Sequence, residues 1–353
     1  MKIAQVAPLF ERVPPRRYGG TERVVSYLTE ELVRQGHDVT LFASADSITA
    51  ARLVAPCRKA LRLDPACVDP LAHQILMLEM VFREAEQFDV LHFHTDYLNF
   101  PLSRRFPIRQ VTTLHGRLDL PDLAPLYREF RDMPVVSISD AQRKPLPWAN
   151  WQATVHHGLP HSLYAFQPKH GDYLAFLGRI SPEKRADRAI EIAREVGMPI
   201  RIAAKVDRAD REYFESVVRP LLADPLVEFV GEIGEREKQD FLGNAFALLF
   251  PIDWPEPFGL VVIEAMACGT PVIAFPGGSV PELIEDGVSG FIVESVEEAA
   301  AAVDRVSALL RKNCRQVFLE RFTVSRMAEE YLEIYRRLFD GAEGATAEEA
   351  SAA

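Results

Sequence analysis

The sequence predicts an α/β protein built from two parallel-sheet domains. Short apolar strands alternate with amphipathic helical stretches along nearly the whole chain. The rhythm breaks once, over residues 145–170, and then restarts. The length of 353 residues also exceeds what one ordinary core organises, which points to two domains.

The first predicted strand is Lys2–Ala7. A helix over Thr21–Gln35 follows, with Val24, Val25, Leu28, Leu32 and Val33 on one stripe, and Gly36 ends it. Asp38–Ala43 reads as a strand, Leu71–Gln87 as a helix, and Asp89–His94, Arg109–Leu114 and Pro134–Ile138 as further strands. Residues 145–170, PLPWANWQATVHHGLPHSLYAFQPKH, are rich in Pro, His and aromatics and lack a period, as a domain junction would. Trp148 and Trp151 in it read as hinge packing in preference to sugar platforms. The alternation resumes with strand Tyr173–Leu177, helix Arg185–Val196, strand Pro199–Ala203, a helix near Arg211–Leu222, strand Val227–Val230 and a helix from Lys238 to Asn244. Strand Ala247–Phe250, an apolar helix, and strands Val272–Ala274 and Gly290–Val293 complete the second half. Strands separated by helices imply parallel pairing through crossovers. The chain therefore reads as two Rossmann-like domains, 1–160 and 161–324. An amphipathic last helix covers 325–340, and the small polar tail 341–353 is expected to be disordered. In open sheets of this kind ligands lie beyond the carboxyl ends of the strands, so the expected site is the cleft that the two domains face.

A net charge of −11, from 40 basic and 51 acidic residues, argues against an extended nucleic-acid surface. The four cysteines, 57, 67, 268 and 314, form no CxxC and no zinc spacing, and read as reduced thiols of a cytoplasmic protein. MKIAQVAPLF reads as a strand and not as a secretory signal, and no run of 18 apolar residues could cross a bilayer. Peripheral contact with the inner membrane face stays open. An apolar stripe of Leu118, Leu120, Leu123 and Leu126 could meet a greasy acceptor or a membrane edge, but ordinary core packing is the simpler account.

Chemistry concentrates in four places. Gly19-Gly20 precedes a predicted helix start, where free amides suit a phosphate; alone, the pair is equally a turn with Thr21 as N-cap. It is not GxGxxG, which lowers a nicotinamide-binding reading. Arg179 and Lys184 flank a turn after a strand and could neutralise a diphosphate; alone, they are solvated charges. Glu256 and Glu264 bracket the start of an apolar helix expected at Phe258 or Gly259. Glu264 lies about 7.5 Å along that helix, where a ribose would reach if a diphosphate sat at its first amides. A carboxylate among Leu260, Val261, Ile263, Ala265 and Met266 needs a partner. His92, His94 and Asp96 share one strand face and suggest metal, acceptor-pocket polarity or buried hydrogen-bonded imidazoles. No third ligand has convincing spacing and Asp-x-Asp occurs nowhere, so no metal is expected. Ser139 reads as an acceptor-side group or an N-cap.

The segment EPFGLVVIEAMACGTPV resembles the E-x7-E segment of retaining GT-B glycosyltransferases, most closely glycosyltransferase family 4 (group 1). Tyr18-Gly19-Gly20-Thr21-Glu22, TLHG at 113–116, Gly178-Arg179 with Glu183-Lys184, Pro276-Gly277-Gly278 and Pro281-Glu282 follow that family's order over nearly residues 1–340. The resemblance implies two GT-B domains, with the last helix returning to the first. It implies that Gly19, Gly20, Arg179 and Lys184 hold a donor diphosphate, with amides around Phe258, Gly259, Leu260 and Val261 completing the cradle. Glu264 would bind the ribose, Glu256 would touch the sugar, and His115 would lie beside the reacting carbon. Lys205 stands where the family has Gly-Lys or Gly-x-Gly; Ala204 departs from that pattern, which leaves the Lys205 contact in doubt. Phe229-Val230-Gly231-Glu232 resembles the segment near the base.

The implied activity is a retaining, metal-independent hexosyltransferase. It uses a nucleotide diphosphate sugar, a UDP-sugar by slight preference, as substrate, and needs no cofactor. The acceptor hydroxyl belongs to a glycan, lipid or small metabolite, and the protein is a monomer or homodimer. A sugar-nucleotide epimerase or hydrolase, a nicotinamide-dependent oxidoreductase, or a non-catalytic nucleotide-sugar-binding subunit are the competing readings.

Overall fold

The computed structural model describes residues 1–339 with their side chains and the backbone as far as 351. The disorder expected of 341–353 falls outside the fully described residues. The chain divides into two compact units, residues 1–158 with 324–353, and residues 159–323.

The first unit carries strands β1 (Lys2–Val6), β2 (Asp38–Phe42), β3 (Arg52–Val54), β4 (Val90–Phe93), β5 (Gln110–Thr113), β6 (Val135–Ser137) and β7 (Trp151–Thr154). They form one sheet in the order β3-β2-β1-β4-β5-β6-β7, every neighbour parallel. Ile3 on β1 lies beside Val39 on one side and Val90 on the other. The crossovers that follow β1 and β4 therefore leave in opposite directions, and the carboxyl ends of β1 and β4 open at the point of reversal. Alternation puts Ala4, Val6, Phe42, Leu91 and Phe93 against Met77, Leu78 and Val81 of the helix Pro70–Arg83. Leu41 and Ala7 pack with Val25 of the helix Gly20–Arg34 on the other face.

The second unit carries β8 (Leu174–Ile180), β9 (Ile200–Val206), β10 (Val227–Gly231), β11 (Ala247–Phe250), β12 (Val272–Ala274) and β13 (Gly290–Ile292). Their order is β10-β9-β8-β11-β12-β13, again all parallel. Its reversal point lies at the carboxyl ends of β8 and β11. Leu174, Phe176, Ile200, Ile202 and Leu249 pack with Ile190 and Ala193 of the helix Ala186–Val196 and with Val303 of the helix Val296–Val306.

The final helix, Val324–Ser351, belongs to the first unit. Tyr331 and Tyr335 are fully buried there, their hydroxyls 2.9 Å from Thr113 Oγ1 and 2.7 Å from His92 Nδ1.

Several elements differ from the sequence-based expectation. The stretch read as a junction contains β7, a half-buried edge strand whose mixed polarity hides its period. Trp151 belongs to that strand, with its indole N–H donating to Leu146 O at 2.8 Å. β3 is an edge strand of three residues, too short to show alternation. The helix expected near Arg211–Leu222 is interrupted by a π segment, Phe214–Val218. Leu118 and Leu123 join the core, while Leu120 is exposed.

One buried cation ties distant segments of the second unit together. Arg311 donates to Gln167 O (2.7 Å), Ala245 O (2.9 Å), Gly243 O (2.8 Å) and Thr270 Oγ1 (2.7 Å). Arg311→Met should strand these acceptors and destabilise the unit by about 3 kcal/mol, since hydrogen bonds to a charge count for more than neutral ones. A urea midpoint equal to that of the parent would refute this role.

Candidate active site

In the second unit the expected residues gather at the carboxyl ends of β8 and β11. Arg179 sits near the end of β8, beside Lys205 of β9 in the parallel register. Its guanidinium donates to Glu183 Oε1 at 2.8 Å and lies 3.3 Å from Asp210 Oδ2. The second approach is an ion pair without hydrogen-bond alignment. Burial pushes the Asp210 carboxyl up, and Arg179 opposes that shift. Lys205 Nζ pairs with Asp207 Oδ1 at 2.8 Å. Ser181 follows β8; its hydroxyl oxygen is buried and has no hydrogen-bond partner in the protein.

Lys184 reaches back to Glu256, and their ammonium and carboxylate form a close, largely buried ion pair. The ammonium also stands 5.1 Å from the centroid of Trp254 and 5.5 Å from that of Phe250. Trp254 Nε1 donates to Glu256 Oε2 at 2.9 Å. The loop bearing Glu256 is clamped from below. Ser279 N donates to Glu256 O at 3.0 Å, and Ser279 Oγ donates to Phe258 O at 2.5 Å. At Gly278, φ is +61°, and a Cβ would lie 2.2 Å from Glu256 O, so glycine is required for the loop to sit where it does.

The helix expected from Phe258 or Gly259 runs Leu260–Cys268. Phe258 is buried ahead of it, and Gly259 is its left-handed N-cap at φ 93°. No side chain caps this start, so its first amides around Leu260 and Val261 face forward with the helix dipole behind them. Glu264 is buried, as its apolar company implied, and its partner is Lys238 Nζ at 2.6 Å. Lys238 was not singled out from sequence; the signal was the need of a buried Glu264 for a counter-charge.

In the first unit, Gly19 caps the helix Gly20–Arg34 at φ 151°, where a Cβ would stand 2.8 Å from Pro15 Cβ. Gly20 opens the helix and is exposed. The Glu22 carboxyl is buried in the first turn and lies against Gly19; burial pushes its pKa up. An anion at this start would meet an acid as well as amides.

The histidines form a hydrogen-bonded stack. His92 and His94 rings lie 4.1 Å apart. His94 Nδ1 is 2.9 Å from His115 Nε2, and His115 stacks on His157 with centroids 5.2 Å apart. Burial drives His92, His94 and His157 well below the usual imidazole range and His115 to about 3, so the stack is neutral near pH 7. Among the described residues, no group of three or more His, Cys, Asp or Glu is arranged to hold a metal ion. Asp96, just past β4 at φ 53°, is open to solvent yet crowded by protein, which pushes its carboxyl up to about 6. Ser139 is buried as the N-cap of a one-turn helix, its Oγ accepting from Gln142 N at 3.1 Å. No helix among the described residues is long and apolar enough to cross a membrane.

Comparison with known proteins places this geometry. The model for glycosyl transferases group 1 matches residues 166–321, and that for glycosyltransferase family 4 matches 18–190. A D-inositol 3-phosphate glycosyltransferase of Mycobacterium marinum is 34% identical over 154 residues, 40% of this chain and 30% of that protein. The chain thus spans less than half the length of the curated relatives it matches. The crystal structure of AviGT4, a glycosyltransferase involved in avilamycin A biosynthesis, superposes with a TM-score of 0.74 at 25% identity, covering 96% of this chain and 98% of that one. Anabaena HepE, in complex with UDP and glucose, gives a TM-score of 0.73 at 18% identity over 94% and 98% of the two chains. The two family models together cover residues 18–321, and the chain belongs to the group 1, family 4 glycosyltransferases and has their two-domain GT-B fold.

Proposed function

We propose that the chain is a retaining, metal-independent hexosyltransferase that moves a sugar from a nucleotide diphosphate sugar to an acceptor hydroxyl. The observation that carries this reading is the Lys184–Glu256 pair beside the uncapped start of the helix Leu260–Cys268. A diphosphate at that start would draw Lys184 and Arg179 from their present carboxylates, and the helix amides would complete its neutralisation. These groups supply the charge that a metal would otherwise bring, consistent with the missing Asp-x-Asp. Glu256, released from Lys184, would then accept hydrogen bonds from sugar hydroxyls. Glu264, about 7.5 Å along the helix from its cap, would take the ribose hydroxyls. Anabaena HepE, solved with UDP and glucose, supports a UDP-sugar.

The transfer breaks the bond between the sugar C1 and the diphosphate oxygen. The acceptor oxygen bonds C1 on the same face, and its proton passes to the departing phosphate oxygen. Arg179, Lys184 and the helix start stabilise the charge that grows on that leaving group. Asp96 is assigned to the acceptor side, whereas Ser139, buried as an N-cap, is not; the acceptor belongs to the glycans, lipids or small metabolites.

Calorimetry with UDP, GDP, ADP, dTDP and NAD, each with magnesium and with EDTA, tests the donor assignment. One diphosphate binding equally well in EDTA is expected; binding of NAD alone, or only with magnesium, would overturn it. Glu264→Gln should weaken that diphosphate about tenfold, or 1.4 kcal/mol, by replacing a charged acceptor with a neutral one. Unchanged affinity in the folded variant would remove Glu264 from the ribose. Glu256→Gln should bind the diphosphate at least as well as the parent, because Lys184 loses its competing carboxylate, while transfer falls by about two orders of magnitude. Parallel loss of both would contradict a sugar-side role. If Asp96 accepts from the acceptor hydroxyl, its carboxylate does so more strongly than the neutral acid, so transfer should rise with pH through about 6. Asp96→Asn should flatten that acid limb, and a limb that survives the substitution belongs to another group.

A further inference from the structure

A chain of buried polar groups runs beneath His115, and its donors give it a direction. Gln5 on β1 is fully buried. Its Oε1 lies 2.8 Å from His94 Nε2, and its Nε2 lies 3.2 Å from Tyr335 Oη and 3.4 Å from His92 Nδ1. His94 Nδ1 in turn meets His115 Nε2 at 2.9 Å. A neutral imidazole has one N–H and one bare nitrogen. With Gln5 Oε1 accepting, His94 carries its proton on Nε2 and accepts at Nδ1. His115 must then donate from Nε2, which leaves its Nδ1 bare; that atom is buried and has no hydrogen-bond partner in the protein.

Turning the Gln5 amide over would reverse each step. One amide N–H would face His94 and the other would lose its acceptors, while His115 would carry a buried N–H at Nδ1 with nothing to receive it. Two stranded donors are costlier than one unused lone pair, since buried N–H groups without partners are the rarer defect. The far side of the amide agrees. Tyr335 Oη accepts from Gln5 and donates to His92 Nδ1 at 2.7 Å, and His92 Nε2 donates to Thr113 Oγ1 at 2.8 Å. The final helix therefore helps to fix the amide through Tyr335.

We propose that Gln5 and His94 are positioning residues that lock His115 in its Nε2–H tautomer, so that Nδ1 offers a lone pair to a hydroxyl of the bound sugar. The hydroxyl half rests on the transfer reading; the tautomer half does not. Nitrogen-15 NMR of the full chain labelled at histidine reads both. In the ligand-free protein, His115 should show a protonated Nε2 and a bare Nδ1, and the reverse pattern overturns the proposal. Gln5→Met, which removes the acceptor, should give a mixture of tautomers at His94 and His115, whereas Gln5→Glu, which keeps an acceptor, should restore the parental pattern. A folded Gln5→Met protein with unchanged tautomers also overturns the proposal, and the parental spectrum decides alone if that variant does not fold. Saturation with whichever of UDP-glucose, GDP-mannose, ADP-glucose or dTDP-glucose binds should move the Nδ1 resonance, and the matching nucleoside diphosphate should leave it in place. Equal responses refute the hydroxyl contact. Binding of none refutes the transfer reading and leaves the tautomer result standing.

Discussion

The ion pair between Lys184 and Glu256 is the constraint around which the second unit is arranged. Both groups are largely withdrawn from water, and each meets its counter-charge in the other. To bring them together, the turn after β8 and the loop after β11 must meet at the reversal of the sheet, which the strand order accomplishes. The loop must then run close over Gly277 and Gly278, where Cβ atoms would stand 2.4 Å from Trp254 O and 2.2 Å from Glu256 O. Trp254 supports the pair twice, with its ring facing the ammonium and its N–H on the carboxylate. The same rule recurs nearby. Arg179, Lys205 and Lys238 each stand against a carboxylate, so these cations too are held in place by a counter-charge.

The first unit solves its polar problem differently. Its sheet reversal is lined with neutral groups: a glutamine, several imidazoles, a threonine and two tyrosines in one hydrogen-bonded series. Burial keeps those imidazoles uncharged, so the series gains its order from donor and acceptor matching and not from Coulomb attraction. It also explains why the last helix belongs to this unit: Tyr331 and Tyr335 complete bonds that Thr113, His92 and Gln5 would otherwise lack.

Much of this was legible in the sequence, for identifiable reasons. Buried parallel strands such as β11 and β12 are continuous apolar runs, and a helix such as Gly20–Arg34 shows its stripe plainly. The two-carboxylate segment was conspicuous because Glu264 stands among aliphatic neighbours. What escaped notice depends on tertiary neighbours. β7 has no hydrophobic alternation because it is a half-buried edge. Lys238 lies 26 positions from Glu264, and nothing local marks it. Gln5 is one polar residue in an apolar strand, and only the positions of His94 and Tyr335 give it meaning. The His92-x-His94 pattern reads as acceptor-pocket or buried hydrogen-bonded imidazoles ahead of metal ligands, and in the fold both rings have hydrogen-bonding partners that the sequence does not name.

The contrast between the two units bears on the chemistry. In the proposed transfer, a departing nucleoside diphosphate would develop negative charge, which the cations of the second unit would answer. The sugar left behind develops positive charge, for which a second cluster of cations would be unfavourable. A neutral imidazole stack meets that requirement: it can bind hydroxyls without adding charge of the wrong sign. If His115 meets the sugar as proposed, its protonation would place a cation beside an electron-poor centre. Burial that drives the pKa of His115 to about 3 and carboxylates that pair with Arg179 and Lys184 thus give the two units different electrostatic character: neutral imidazoles in the first, paired cations in the second.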